Sequence, residues 1–144
     1  MTRLFVMLFL MAVTAFGHAR IDESEQPASR FMPVDVMIDS DTDLGAWQVR
    51  VETLGQNATL VGVEGGDGVW SSPPMYDPAA LAQGQILLAA YDTTNTSPSG
   101  NTRVARLHLM VVGEPQLEIE LIAAGDTDGH RLDATASVVK GHVQ

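Results

Sequence analysis

Five segments of the chain alternate apolar and polar side chains residue by residue, a period that buries one face of a β-strand and cannot bury one face of a helix. Val34, Val36 and Ile38 alternate with Asp35, Met37 and Asp39, and Trp47, Val49 and Val51 alternate with Gln48, Arg50 and Glu52. Ala105, Leu107, Leu109 and Val111 follow the same rule, as do Leu117, Ile119 and Leu121, and then Leu132, Ala134, Ala136 and Val138. Two further runs read as strands. Ala58–Glu64 ends at Gly65-Gly66, and Ile86–Tyr91 is apolar throughout, the pattern of a strand buried on both faces. Turn-forming Gly, Pro, Asp and Asn punctuate the intervals. Only Pro78–Gln83 has a helical character, for one turn or two, with Asp77 placed to cap it and Pro78 at the first helical position. The expected fold is an all-β, antiparallel, jelly-roll-like sandwich of about seven to nine strands, with Trp47 and Tyr91 in its core.

The length of 144 residues suits one domain, and an apolar content of 45% suits a folded one. Asp and Glu number 18 against 8 Lys and Arg, a net charge of -10 that offers no footprint for nucleic acid or an anionic membrane. The absence of cysteine removes disulfides, thiolate metal sites and a cysteine nucleophile. Residues 1–19 read as a secretory signal: Arg3 supplies a positive start, Leu4–Phe16 is an uncharged apolar run, and Gly17-His18-Ala19 provides the small residues of a cleavage site. Residues 20–30 read as a flexible polar leader and 31–144 as the domain. The expected location is secreted or periplasmic, with no membrane attachment after cleavage.

Few residues here point to chemistry. Asp39, Asp41 and Asp43 begin with calcium-loop spacing, but Leu44 and Arg50 stand where such a loop needs glycine and a bidentate acid. Gly125-Asp126-Thr127-Asp128-Gly129 reads as a hairpin turn. Neither cluster completes a metal site, and no catalytic constellation or cofactor motif is present, so no metal, cofactor or enzymatic role is expected. Gly65-Gly66-Asp67-Gly68 lacks the lysine of a phosphate loop. Two surfaces are candidates for partner binding. Trp70, Met75 and Tyr76 surround Pro73-Pro74 in a long loop, either displayed as contact residues or folded back to cap the sandwich. Arg106 and His108 on one strand and Glu118 and Glu120 on the next would form cross-strand ion pairs if those strands are neighbours, making either a charged recognition face or a solvated one.

Three strand patterns, Val34–Asp39, Leu44–Val49 and Val61–Gly66, resemble the opening strands of cohesin-like domains, as Tyr76–Leu81, Ile86–Tyr91 and Thr102–Leu107 resemble their later segments. The likeness covers roughly residues 31–139 and is to short exported bacterial proteins of the carbohydrate-binding-module and cohesin superfamily. It implies a jelly-roll β-sandwich, a non-catalytic module, and a partner that is another exported protein, dockerin-like, met through one sheet face or a loop. The alternatives it leaves are a polysaccharide ligand or a structural role in the cell envelope. A polysaccharide would call for exposed coplanar aromatics, and the chain's aromatic content is only 6%.

Overall fold

The computed structural model describes residues 27–141; the predicted signal segment at 1–19, residues 20–26 of the predicted leader and residues 142–144 lie outside them. Seven strands form: β1 Ser29–Ser40, β2 Ala46–Leu54, β3 Ala58–Gly65, β4 Gln85–Tyr91, β5 Gly100–Val112, β6 Gln116–Gly125 and β7 Ala134–Lys140. All seven fall where the sequence places strands, five by alternation and two by their apolar runs and bounding turns. β1 begins two residues inside the predicted leader, because Ser29 and Arg30 pair with Val112 and Val111 and the Arg30 guanidinium donates to the Gly113 carbonyl. The strands make two antiparallel sheets, one in the order β3-β5-β1-β7 and the other β4-β2-β6. Strand membership alternates between sheets along the chain, so each connection crosses from one layer to the other.

The core is the space between the layers. Val36, Ile38, Val49, Val51, Ile86, Leu88, Leu107, Leu109 and Val111 are wholly buried there, those of β1, β2 and β5 on the inward parity read from the sequence. A bulge interrupts the parity of β5. Val36 pairs with Ala105 but Met37 pairs with Arg103, so Val104 is the extra residue, and both Val104 and Ala105 are buried. The same bulge turns Arg103 outward, onto the same face as Arg106.

Two expectations are corrected. β4 has only its inner face covered by the second sheet, so Ile86 and Leu88 are buried while Leu87 and Tyr91, on the opposite parity, face out. Tyr91 is therefore 67% exposed and does not belong to the core. Trp70, of the two readings of its loop, follows the folded-back one and so is no exposed contact residue. The loop after β3 folds back, and Trp70 is 2% exposed, its ring edge-on to Trp47 with centroids 6.1 Å apart. Gly65 and Gly66 make this possible: a Cβ at Gly65 would strike the Ser71 carbonyl, and one at Gly66 the Arg103 carbonyl. The predicted short helix is present as a 3₁₀ turn, Pro78–Gln83, with the Asp77 carboxylate accepting the Ala79 N–H at 2.9 Å.

Leu109 and its neighbour Met110 test the register. Leu109→Ala is expected to cost about 2–5 kcal/mol in chemical denaturation, and Met110→Ala, on the outer face, within about 0.5 kcal/mol. Equal losses at the two positions would show that the register is misread, because a one-residue slip exchanges the faces.

Candidate functional site

The predicted contact residues divide between the two outer faces of the sandwich. The pairing expected between Arg106, His108 and Glu118, Glu120 does not occur, because β5 and β6 belong to different sheets and the chain crosses layers between them. On the four-stranded sheet, Arg106 grips Asp35 with two hydrogen bonds, Nε to Oδ1 at 2.6 Å and Nη2 to Oδ2 at 3.1 Å. The Asp35 hydrogen bond, above all, raises the Arg106 pKa further above its ordinary value. Arg103, delivered by the bulge, lies 3.7 Å from the same Asp35 and bonds Asp67. His108 Nε2 sits 3.1 Å from Glu64 Oε1 without forming a directed hydrogen bond. Arg106 and His108 are thus engaged by acids of their own sheet. Arg103 belongs with them, and only recognition of the bulge would have revealed it.

The three-stranded sheet presents a different outer face. Glu120 is bound by Arg50 on β2, and Glu118 stands opposite Glu52. Toward the Tyr91 end, the side chains shrink. Ala89, Gln48 and Ala123 lie in one cross-strand row, and Tyr91, Ala46 and Gly125 in the next. These residues floor a groove of about 550 Å³ that Met75, Tyr91 and the turn from Asp126 to Arg131 enclose. Met75 is held there by backbone pairing: its N–H donates to the Ala89 carbonyl at 2.8 Å and its carbonyl accepts the Ala89 N–H at 3.1 Å. Its side chain is left 58% exposed. Tyr76, the next residue, packs partly against the core instead. Of the loop trio read from the sequence, Met75 alone is displayed at this groove. Tyr91 was missed because a wholly apolar strand gives no parity by which to separate its faces.

The two loops beside the groove are held by carboxylates. Asp126 Oδ1 accepts the N–H groups of Asp128 at 2.9 Å and His130 at 2.8 Å, and Oδ2 lies 3.1 Å from His130 Nδ1. The backbone bond from His130 is the main cause of a lowered Asp126 pKa. The ligand atoms of Asp126, Asp128 and His130 lie within 4.8 Å of one another. Asp126 is nevertheless occupied in closing the predicted turn, where Gly129 takes φ +86°. Asp39, Asp41 and Asp43 form no such group among the described residues. The other loop follows Tyr91. Its Asp92 carboxylate accepts Ser97 Oγ at 2.6 Å, Thr94 Oγ1 at 2.7 Å and Thr94 N–H at 2.9 Å. The hydroxyl bonds, Ser97 first, bring the Asp92 pKa down from 3.8 to about 2. A carboxyl held below its unfolded pKa stabilises the fold above about pH 4, and that contribution disappears as the pH falls toward 2. A carboxyl ¹³C titration should place the Asp92 midpoint near 2, and Asp92→Asn should flatten the loss of stability between pH 4 and 2. A midpoint near 4 would mean that the Ser97 and Thr94 bonds do not persist in solution.

No family model and no curated protein matches the sequence. A solved structure does match in shape: a non-cellulosomal cohesin from the hyperthermophilic archaeon Archaeoglobus fulgidus, 18% identical, covering 74% of this chain and 75% of that one, with a TM-score of 0.57. At that identity the likeness is one of architecture, and the architecture of residues 27–141 is a cohesin-like β-sandwich.

Proposed function

We propose that the chain is an exported, non-catalytic protein-recognition module of cohesin type, and that its contact surface is the outer face of the three-stranded sheet. The observation that carries this reading is the groove between Met75 and Tyr91. Two large, exposed, adaptable side chains flank a floor of alanines, and Leu87, 45% exposed, extends the apolar surface along β4. Exposed apolar surface gathered around a depression is the form of an interaction site, and aromatic anchors dominate the energetics of such sites. On the opposite sheet the charges nearest the bulge, Asp35, Arg103, Arg106 and Asp67, pair with one another. The partner would be a second exported protein, dockerin-like in its role.

A polysaccharide ligand is the weaker reading. Of Trp47, Trp70, Tyr76 and Tyr91, the two tryptophans are buried at 3% and 2% exposure and Tyr76 is partly buried, leaving Tyr91 without a coplanar companion for stacking on sugar rings. Export rests on residues 1–19, whose charged start, apolar run and small cleavage-site residues have the order a signal peptidase reads.

Immobilised domain, residues 20–144, should retain a protein from the exported fraction of the host. Met75→Ala with Tyr91→Ala should weaken that capture at least about tenfold, as loss of interface anchors does. Undiminished capture by the double variant would move the site off this face, and retention on polysaccharide gels instead would favour the carbohydrate reading. Exported material should begin at Arg20 on N-terminal sequencing; a start at Met1 would defeat the cleavage claim.

A further inference from the structure

The two sheets differ by one strand, and the shortfall is confined to one side. On the β3 side the inner row is covered: Leu60 is 2% and Ala58 8% exposed, and the Pro78–Gln83 turn packs against β3. On the other side β6 pairs with β2 and β7 pairs with β1, but β6 and β7 share no ladder. Their inward side chains, Leu117, Ile119 and Leu121 on β6 and Ala134, Ala136 and Val138 on β7, all remain partly exposed. Grooves of about 440 Å³ beside Leu121–Ala124 and about 240 Å³ between Leu117 and Val138 open along this seam.

An edge strand directs alternate N–H and C=O groups away from its sheet. Among the described residues, the outer edge of β6 is engaged only at its end, where the Ala124 carbonyl accepts the Leu132 N–H at 2.9 Å and Gly125 bridges Arg131. The charges beside this edge are also incomplete. Glu118 lies directly opposite Glu52, and neither has a cationic partner among the described residues, because Arg50 is bound to Glu120. Like charges directly opposite on neighbouring strands repel. Lys140, nearby on β7, is taken by Glu114 at 2.6 Å, and Arg131 stands at the far end of the seam. These charges decide the occupant. A second copy pairing β6 to β6 would set Glu118 and Glu120 against themselves, and the leader, with Asp22, Glu23 and Glu25 against Arg20, would also be repelled.

We propose that the free edge of β6 is a strand-addition site for an extended basic peptide. The peptide pairs with β6 by main-chain hydrogen bonds, turns its apolar residues inward over Leu117, Ile119 and Leu121, and sets a lysine or arginine against Glu52 and Glu118. Main-chain pairing supplies affinity in this mode, and alternate side chains supply specificity. The site is independent of the Met75–Tyr91 groove.

The probe is a blocked ten-residue peptide alternating valine with lysine, compared with its valine–glutamate counterpart at equal ionic strength. The lysine peptide should bind and slow hydrogen exchange at alternate amides between Leu117 and Ala123; the glutamate peptide should not bind. Glu52→Lys with Glu118→Lys should weaken the lysine peptide at least about tenfold, the loss of one to two desolvated charge contacts, and admit the glutamate peptide. Glu52→Gln with Glu118→Gln gives the same direction of change if the reversal disturbs folding. Met75→Ala with Tyr91→Ala should leave lysine-peptide binding unchanged. Absence of binding, equal binding of both peptides, or binding without protection of β6 would overturn the proposal. Binding that instead perturbs Met75 and Tyr91 would sink the edge site while leaving the sheet-face reading intact.

Discussion

The fold depends on contact between the inward rows of two sheets, and on little else. There is no disulfide to restrain the unfolded chain, and the aromatic share of the core is a single edge-on pair, Trp47 and Trp70. Val, Leu and Ile carry the rest, each contributing about 1.5–3 kcal/mol when fully removed from water. Such a core tolerates no error of strand parity, since every inward position alternates with one that must face solvent or a partner. At one of three register shifts among the described residues, Val104 in β5, the bulge is absorbed by burying two successive residues and by turning Arg103 out to join Arg106 around Asp35. A defect in the ladder becomes the most densely ion-paired point of the surface.

Burial is uneven around that core, and the unevenness separates the surfaces that are finished from those that are open. The β3 side is sealed by a returning loop, made possible by two glycines that let backbone meet backbone. On the four-stranded face Asp35, Arg103, Arg106 and Asp67 pair with one another at the bulge, while Phe31 and Met110, opposite each other toward the other end, stay exposed. The three-stranded sheet stays open at its apolar groove at one end, at its unmatched acids at the other, and along its unpaired edge.

The positions of the strands were legible in the sequence, because alternation of period two is a local property that each segment carries by itself. So were the 3₁₀ turn at Pro78 and the turn at Asp126, where single residues with fixed backbone preferences mark the place. Strand partners were not legible. Arg106 and Glu118 are near in sequence and stand on opposite sheets, because adjacent strands of the chain never share a layer. The candidate site suffered accordingly. Met75 was identified as part of an unusual loop, yet its companion Tyr91 was assigned to the core, since ILLAAY offers no polar residue to show which parity faces water. For Trp70 the sequence left two readings, displayed or folded back, and the close approach at Gly65 and Gly66 decides for the second.

Layer-crossing at every connection also governs when the molecule can exist. Without a local hairpin, every strand pair closes a long loop, the arrangement associated with slow folding. β1 holds the centre of the larger sheet between β5 and β7, and Val34 of the first strand is paired to Lys140 of the last. The first strand made therefore waits for the seventh before its sheet is whole. A chain built in this order cannot complete its larger sheet until the last strand has been made, so the sheet's centre and its final strand become ordered together.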